Sequence, residues 1–356
     1  MQIVIFGLSI TSSWGNGHAT TYRALVRQLA GRGHDVLFLE RDLPWYADNR
    51  DMPRPSGGRT ELYDSVAELK ARFLGDVRDA DAVIVGSYVP EGIEVGEWVT
   101  RHAHGVTAFY DIDTPVTLAK VSNGGADYVS RALIPKYDLY LSFTGGPTLE
   151  RLEREFGARM ARPLYCSVDP DQYAPESADA SWDLGYLGTY SDDRQPSLTQ
   201  LMLEPARRLR DHRFVVAGPQ YPDDISWPDN VERITHLAPR EHRGFYNAQR
   251  YTLNITRQDM IRAGWSPSVR LFEAAACGTA IISDYWDGLE AFFEPGREIL
   301  IARTARDTAE YLHDVPEEER RALGTRARER VLARHTSEQR AVELETFTRE
   351  ARRARK

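Results

Sequence analysis

The sequence is poor in cysteine and has no long apolar run. Its two cysteines, Cys166 and Cys277, are too few for a disulfide framework or a zinc cluster, and we expect both to be small buried hydrophobic residues in a reducing compartment. No stretch approaches the about 18 consecutive apolar residues that a membrane-spanning helix needs. The chain starts with an apolar strand rather than with the pattern of a signal peptide. These absences favour a cytoplasmic protein without an integral membrane segment.

Lysine is also scarce, and none occurs between Lys136 and Lys356. Catalysis through a Schiff base with pyridoxal phosphate requires a lysine, so this chemistry is disfavoured for any site built by the second half of the chain. The net charge of -8 argues against broad binding to nucleic acid. The arginine-rich stretch 349–356 is basic, but such runs are usually solvated.

The length and composition are those of a soluble enzyme with two domains. At 356 residues the chain exceeds the usual span of one hydrophobic core. Its 42% apolar and 28% charged residues are typical of a globular protein.

Apolar runs alternate with helical patterns along the first half. The run 2–8 predicts a strand buried on both faces of a parallel sheet. The polar loop that follows, 9–18, lies at the carboxyl end of that strand, where open α/β sheets bind ligands, although it lacks a full dinucleotide fingerprint. Further strands are predicted at 36–39, 82–86, 106–110 and 137–142, helices at 19–31, 65–73, 93–102 and 148–156, and an irregular excursion at 43–59.

A second alternation of the same kind follows a weakly patterned stretch at 162–175 and an acidic stretch at 176–181, which is the best linker candidate. Strands are predicted at 184–187, 213–217, 231–235, 251–255, 280–283 and 299–301, and helices at 198–209, 240–248, 267–277, 304–312, 317–335 and 337–352. We therefore expect an α/β protein with two doubly wound, Rossmann-like domains, 1–172 and 173–335.

The helix predicted at 267–277 has clear start and stop signals. Ser266 can cap its first amides, Pro267 suits the first helical position, and Gly278 suits the left-handed residue that ends a helix. The amino end of a helix favours an anion such as a diphosphate. Glu273 lies two turns from Ser266, about 10 Å along the axis, which is roughly the separation of a nucleotide's diphosphate from its ribose hydroxyls. The alternative is a capped core helix with a solvated glutamate.

Two aspartates leave one of the first-half strands. Asp111 and Asp113 are spaced to hold a divalent cation on a nucleotide, because magnesium prefers carboxylate and phosphate oxygens. An Asp-Thr-Pro turn also uses its carboxylates for local backbone hydrogen bonds, and this is the interpretation that we prefer.

Several segments, in this order along the chain, resemble the GT-B-fold glycosyltransferases, and among them the CgeB-like group related to glycosyltransferase family 4. Together they cover about half of the chain. Segment 165–175 resembles the interdomain signature, and 181–194 the strand and loop that open the donor domain. Segment 215–219 resembles the next strand and glycine turn of that domain, the short pieces 230–231, 236–237 and 245–248 its base pocket, and 270–283 the glutamate-containing helix with the strand after it. The first half fits by architecture and by residues 13–18.

The resemblance implies two Rossmann-like domains facing a cleft, with C-terminal helices packing back across the domains and residues 336–356 returning to the first. The second domain would hold a nucleotide-diphosphate sugar (a UDP-, dTDP- or GDP-sugar), and the first a hydroxyl-bearing small molecule or glycan. Glu273 would bind the ribose hydroxyls, and the amides near Ser268 and Val269 would meet the diphosphate. The other donor contacts implied are Gly188, Arg194, Gly218, His236, Leu237 and Arg270, and the contacts to acceptor or sugar are Gly15, Asn16, Gly17 and Trp265.

The chain departs from the family pattern at two places. The pattern often has a second glutamate eight residues before the ribose-binding one, and Trp265 stands there. In the family pattern an arginine and a lysine neutralise the diphosphate. Arg194 is the candidate for that arginine in this chain, but no lysine follows it. Arg270 could replace the missing charge, since arginine offers bidentate geometry to phosphate. A surface or interdomain ion pair is its alternative role.

Glycosyl transfer passes through a cation-like transition state, so positive groups must stabilise the leaving diphosphate. We assign this role to Arg194, Arg270 and the amino end of the helix, without an essential metal or cofactor. His18 has the chemistry of a base near neutral pH, and Asp113 could orient it or bind an acceptor hydroxyl. In a retaining reaction His18 would hold the sugar instead, and helix capping or acceptor binding is its alternative role.

Other functions stay open from the sequence. A nucleotide-sugar 2-epimerase has a similar two-domain shape and needs no acceptor, but it requires several carboxylates around the sugar, and fewer are recognisable here. A non-catalytic nucleotide-sugar-binding protein is the other alternative, because Trp265 replaces a glutamate of the family pattern. A homodimer is compatible with the sequence, and the nucleotide, sugar, acceptor and stereochemistry are left open.

Overall fold

The computed structural model describes residues 1–177 and 179–355, so Ala178 in the expected linker and Lys356 lie outside the described residues. The chain divides into two compact units. Unit 1 comprises residues 1–166 together with the end of the chain from Ser337, and unit 2 comprises residues 167–336.

Unit 1 is built on a parallel sheet with the strand order β3-β2-β1-β4-β5-β6-β7. Its strands are β1 (Gln2–Gly7), β2 (Asp35–Arg41), β3 (Arg59–Tyr63), β4 (Ala82–Gly86), β5 (Val106–Asp111), β6 (Leu139–Ser142) and β7 (Ala161–Pro163). Its first helices are α1 (His18–Gly31), α2 (Pro44–Ala47), α3 (Val66–Asp79), α4 (Gly92–His102), α5 (Thr114–Ser122) and α6 (Pro147–Phe156). The strand order reverses between β1 and β4, which is where open α/β sheets form a ligand crevice.

Unit 2 repeats this plan with the strand order β10-β9-β8-β11-β12-β13. Its strands are β8 (Trp182–Leu187), β9 (Phe214–Ala217), β10 (Val231–Ile234), β11 (Gln249–Asn254), β12 (Ala280–Ser283) and β13 (Leu300–Ile301). Its helices are α7 (Gln195–Leu198), α8 (Glu204–Arg208), α9 (Pro239–Asn247), α10 (Gln258–Ala263), α11 (Val269–Ala276), α12 (Ala305–Asp314) and α13 (Glu317–Arg334), and a π-helical turn, Thr199–Leu203, joins α7 to α8. The sheet reverses between β8 and β11.

The prediction of two doubly wound parallel sheets is confirmed. The apolar run of β1 is buried from Ile3 onward, and every residue of β4 and β5 is buried, because helices cover both faces of such a sheet. Five elements were not predicted: β3, β7, α2, α5 and α10. The first two are the edge strands of the unit 1 sheet, α2 lies in the stretch 43–59 that was predicted to be irregular, and all five are short, so they lack a long apolar pattern.

The units divide six residues before the expected boundary at 172. Leu164 still donates its amide to the Ser142 carbonyl of β6, whereas Val168 donates to the His335 carbonyl in unit 2. Val168 also forms a parallel bridge with Thr336. Residues 167–172 therefore belong to unit 2 because their backbone partners lie there.

The last helix, α14 (Ser337–Ala354), is part of unit 1. Glu345 on this helix is 5% exposed. Its Oε1 accepts a hydrogen bond from Arg32 Nε at 2.6 Å and lies 2.8 Å from His34 Nε2. The hydrogen bond from Arg32, with further help from His34, lowers the pKa of Glu345 to about 2. A buried charge cluster thus ties the end of the chain to α1 and to the residues that follow it.

None of the helices within 1–177 and 179–355 is long and apolar enough to cross a membrane.

We predict that Glu345→Gln lowers the free energy of unfolding at neutral pH by about 1–3 kcal/mol, because it removes the charge that Arg32 and His34 face. The folded-state pKa of about 2 lies below the ordinary value of 4.5. The carboxylate therefore stabilises the fold fully above about pH 5, and its contribution is lost as the pH falls towards 2. Urea unfolding over a pH series would measure both effects. Glu338→Gln, an exposed glutamate on the same helix, is the control, and an equal loss in both variants would contradict the prediction.

Candidate functional site

The loops that follow β8 and β9 in unit 2 approach each other so closely that glycine is required. Gly218 has a φ of 141°, and a Cβ atom there would lie 2.1 Å from the Gly188 carbonyl oxygen. A Cβ on Gly188 would meet Tyr186 Oη at 2.6 Å and Arg270 Nη2 at 3.0 Å. Tyr221 Oη donates to the Gly188 carbonyl at 3.1 Å. The two predicted glycines therefore form one tight turn pair at the carboxyl edge of the sheet.

Arg270, on the first turn of α11, points its guanidinium at this turn pair. Its Nε donates to the Leu187 carbonyl at 2.5 Å, and its Nη1 donates to Asn254 Oδ1 at 3.0 Å. Its Cζ lies 4.9 Å from the centre of the Tyr186 ring. The alternative of an ion pair is not seen among the described residues of unit 2, where the hydrogen-bond partners of the guanidinium are Leu187 and Asn254. The guanidinium is thus held by uncharged groups.

Two more arginines lie at the same edge. Arg194 Nη2 donates to the Thr189 carbonyl at 2.7 Å. Arg233, which the sequence did not single out, donates to the Val216 and Gly218 carbonyls. Its Cζ lies 4.2 Å from the ring centre of Tyr221 and 4.4 Å from that of Trp227. Burial raises the pKa of Tyr221, while the charges of Arg233, Arg194 and Arg270 lower it, so the field of all three guanidinium groups acts on this hydroxyl.

The helix that carries Arg270 begins two residues later than predicted. Its N-cap is Ser268 rather than Ser266, because Ser266 Oγ contacts Met260 Sδ at 3.0 Å. Ser268 Oγ donates to Asn254 Oδ1 at 2.7 Å and does not cap the helix. The side chain of the N-cap residue therefore leaves the first amides of α11 free of its own hydroxyl, and such amides can bind an anion. The predicted left-handed end at Gly278 is correct, with a φ of 75°.

Glu273 lies on the buried side of α11 and is 5% exposed. Its Oε2 accepts a hydrogen bond from Tyr246 Oη at 3.1 Å. Burial and the charge of Glu273 raise the pKa of both Tyr173 and Tyr246. The alternative of a solvated glutamate is wrong for this residue, because tyrosines from two neighbouring segments enclose the carboxylate.

The other predicted contacts of unit 2 lie in two loops, one that follows β10 and one between α10 and α11. Trp265 has a φ of 44°, an uncommon conformation for a bulky residue, and its ring packs where a Cβ of Gly288 would be 2.4 Å away. His236 and Leu237 follow β10, and Leu237 lines a pocket of about 440 Å³ that Trp182 and Phe245 also line.

Two carboxylates, the buried Glu40 and the exposed Asp51, shape the loop 9–17 of unit 1. Glu40 is fully buried and accepts the amides of Ile10 at 2.7 Å and Thr11 at 3.0 Å. Asp51 accepts two hydrogen bonds of 2.9 Å from Arg23. Burial alone would raise the pKa of Asp51, but Arg23 and Ser13 lower it to about 2. Hydrogen bonds to Glu40 and Asp51 therefore fix the loop that carries Gly15, Asn16 and Gly17.

The side chain of Asn16 makes hydrogen bonds within this loop, whereas the neighbouring glycines are exposed. Asn16 Nδ2 donates to the carbonyls of Ser9 and Ser12, and its Oδ1 accepts the amide of His18. Gly15 and Gly17 are exposed, with nothing within 4 Å of a hypothetical Cβ.

Tyr88 lies between the two residues predicted to be catalytic. Its ring centre is 5.4 Å from that of His18, and its Oη donates to Asp113 Oδ2 at 3.1 Å. Tyr88 is the second residue after β4 and has a φ of 63°, a strained conformation of the kind that clusters at functional sites. Burial lowers the pKa of His18, and the charge of Asp113 offsets part of this effect. The two predicted residues are brought together, with Tyr88 as the link.

Asp111 is used inside unit 1. It is fully buried and accepts hydrogen bonds from Tyr140 Oη at 2.6 Å and Thr117 Oγ1 at 2.8 Å. Burial raises its pKa to about 6. Within 1–177 and 179–355 no group of three or more metal-ligating side chains is present. The preferred interpretation, local backbone hydrogen bonds, fits in part: the amide of Asp113 donates to Asp111 Oδ1 at 3.3 Å, whereas Tyr140, Thr117 and, for Asp113, Tyr88 are side-chain partners.

No curated protein sequence matches this chain. Residues 194–346 match the model of the glycosyl transferase-like family. Sucrose-phosphate synthase from Thermosynechococcus elongatus superimposes with a TM-score of 0.73 at 16% identity, covering 99% of this chain and 100% of that one.

Two further solved structures align over nearly the full length. An alpha-glucosyltransferase in complex with UDP has a TM-score of 0.72 at 12% identity, with 98% and 99% of the two chains covered, and another alpha-glucosyltransferase structure contains DNA. Anabaena HepE in complex with UDP and glucose has a TM-score of 0.68 at 10% identity, with 98% and 100% covered. The chain thus has the GT-B fold and carries a glycosyl transferase-like domain, and the prediction of a glycosyltransferase is confirmed.

We predict that Gly218→Ala destabilises unit 2 by about 1–3 kcal/mol and displaces the turn pair, because an alanine must adopt a strained φ against a backbone oxygen. Gly244→Ala in α9 is the matched control, since nothing lies within 4 Å of its hypothetical Cβ and alanine favours a helix. Thermal unfolding of both variants tests this. Equal stability of the two variants would show that the turn pair tolerates a side chain.

Proposed function

We propose that the chain transfers a sugar from a nucleotide-diphosphate sugar to a hydroxyl-bearing small molecule or glycan, with unit 2 binding the donor and unit 1 the acceptor, and without an essential metal or other cofactor. Within this enzyme class we assign it to the CgeB-like group related to glycosyltransferase family 4.

One observation carries the proposal: Arg194, Arg233 and Arg270 lie at the carboxyl edge of the unit 2 sheet, and among the described residues none of them forms a salt bridge with a carboxylate. An uncompensated cluster of guanidinium groups attracts a multiply charged anion. The amides at the start of α11, whose N-cap side chain is turned away, add donors of the same sign. A diphosphate is the anion that these groups suit.

The donor residues divide by the part of the nucleotide sugar that they would meet. Arg194, Arg270 and the amides near Ser268 and Val269 bind the diphosphate, with Gly188 and Gly218 allowing its close approach. Glu273 binds the ribose hydroxyls after its hydrogen bond with Tyr246 is exchanged for one with the ribose. His236 and Leu237 contact the base of a UDP-, dTDP- or GDP-sugar, and Trp265 contacts the sugar.

The reaction exchanges one bond at the sugar. The bond from the anomeric carbon to the diphosphate oxygen breaks, and its electron pair leaves with the diphosphate, which the arginines stabilise. The acceptor oxygen forms the new bond and loses its proton to His18. Asp113 either orients His18 through Tyr88 or accepts a hydrogen bond from a hydroxyl of the acceptor. Gly15, Asn16 and Gly17 border the acceptor.

For partners, we propose no nucleic acid, on the basis of the net charge of -8, and a homodimer as an assembly compatible with this chemistry. A nucleotide-sugar epimerase and a non-catalytic binding protein are the alternatives.

Product analysis separates these three functions. The protein is incubated with UDP-, dTDP- and GDP-sugars, alone and with a panel of sugar and glycoside acceptors, and products are followed by chromatography and mass spectrometry. Nucleoside diphosphate released only with an acceptor supports transfer. A changed sugar without an acceptor supports epimerisation, and binding without turnover leaves a binding protein.

For Glu273→Gln we predict that donor affinity falls about 10- to 100-fold, because a hydrogen bond to a charged group is lost. Isothermal titration with the donor that binds the wild type measures this. Tyr246→Phe removes the partner of the carboxylate and keeps the ring, so it should retain most of the affinity. A lower melting temperature of Glu273→Gln with unchanged donor affinity would show that Glu273 has a structural role and does not bind the donor.

The pKa of His18 lies below its ordinary 6.5, so the base form should be complete at neutral pH. We predict that kcat/KM of the wild type declines only below about pH 6.5. His18→Ala should lose turnover and keep donor affinity. His102→Ala, a histidine at the end of α4, is the control. Unchanged turnover in His18→Ala would rule out the base role.

A further inference from the structure

Asn254, the last residue of β11, is fully buried, and its side-chain amide makes four hydrogen bonds. Its Nδ2 donates to Ser283 Oγ at 2.9 Å and to Thr256 Oγ1 at 3.3 Å. Its Oδ1 accepts from Ser268 Oγ at 2.7 Å and from Arg270 Nη1 at 3.0 Å. An arginine can only donate, so the carbonyl side of the amide must face Arg270. One side chain thus joins two strands to the start of α11.

We propose that Asn254 is a positioning residue for the donor site, and that its lack of charge is essential to this role. It fixes the Arg270 guanidinium and the N-cap residue Ser268, and it leaves the positive charge of Arg270 available to the diphosphate. This inference rests on the proposed function, in which Arg270 meets the diphosphate of the donor.

The neutrality of Asn254 matters because a carboxylate could accept the same hydrogen bonds. An aspartate here would form a buried ion pair with Arg270 and would offset its charge. A carboxylate is available nearby in Asp284, but it is occupied by the amide and hydroxyl of Thr256 at 2.7 and 2.8 Å. Asp284 therefore spends its hydrogen bonds on Thr256, and the amide of Asn254 rather than a carboxylate bonds Arg270; the charge of Arg270 offsets only part of the rise that burial causes in the pKa of Asp284.

Part of the guanidinium is left for a ligand. Nε and Nη1 are bonded to Leu187 and Asn254, but Nη2 makes no hydrogen bond to the described part of the chain. It lies beside Gly188, 3.0 Å from the position of a hypothetical Cβ. Asn254 and Leu187 therefore aim the unbonded edge of Arg270 at the turn pair where the diphosphate would lie.

Asn254→Asp tests the inference, since it keeps the shape and the accepting oxygen but adds a negative charge. The wild type and the variant are titrated with a nucleoside diphosphate and with the matching nucleoside, using the base that the wild type binds best. Affinity for the diphosphate should fall about 10- to 100-fold, while affinity for the nucleoside changes less than about 2-fold. Asn254→Ala, which adds no charge, should lose less diphosphate affinity than Asn254→Asp.

Thr252→Val is the matched control, because Thr252 is a buried polar residue of the same strand whose hydroxyl contacts the Gly185 carbonyl at 3.5 Å. It should bind both ligands as the wild type does. In an Arg270→Gln background the effect of substituting Asn254 on the diphosphate should largely vanish, since coupled residues are not additive. If Asn254→Asp does not fold, Asn254→Ala in the two backgrounds tests the positioning of Arg270: equal diphosphate affinity of Asn254→Ala and the wild type would overturn the inference.

The outcomes distinguish the two proposals. A wild type that binds no nucleoside diphosphate would overturn the proposed function, and the inference with it. Suppose that the wild type binds the nucleoside diphosphate. If Asn254→Asp then binds it equally well, or loses affinity for the diphosphate and the nucleoside alike, the inference alone would be overturned and Asn254 would have a structural role.

Discussion

The proposed donor site depends on holding positive charge in place without neutralising it. Arg270 is fixed by a carbonyl, an amide and a tyrosine ring, and Arg233 by two carbonyls and two aromatic rings. Carbonyl oxygens and ring faces attract a guanidinium but leave its net charge intact. The tight glycine turns and the uncapped start of α11 are useful only because these charges lie beside them.

Unit 1 handles charge in the opposite way. The arginines around its ligand-binding edge are paired: Arg23 with Asp51, Arg41 with Glu91, and Arg50 with Asp42. These pairs and the buried Glu40 stabilise loops instead of attracting an anion. What this edge offers is a histidine and a tyrosine next to Asp113, which suit an uncharged hydroxyl compound better than a phosphate.

Sequence reasoning identified most of the elements and several site residues for physical reasons that are local. Apolar runs and turn residues predicted the strands, and Gly278 marked the end of α11. Ser266 was the wrong cap. Ser266 and Ser268 lie two positions apart and both are residue types that can cap a helix, so only their contacts with Met260 and Asn254 distinguish them. Arg233 and Asn254 gave no signal, since an arginine and an asparagine in short strands look like ordinary polar residues.

The sequence by itself determined the two parallel sheets, the resemblance to glycosyltransferases and the helix that carries Arg270 and Glu273, because these depend on residues a few positions apart. Only the tertiary structure decided which charges stay unpaired. Leu187, which holds Arg270, lies 83 positions away, and Tyr246, which holds Glu273, lies 27 positions away. Local patterns cannot specify such partners, because whether a buried charge is neutralised depends on which strands and loops the fold brings beside it.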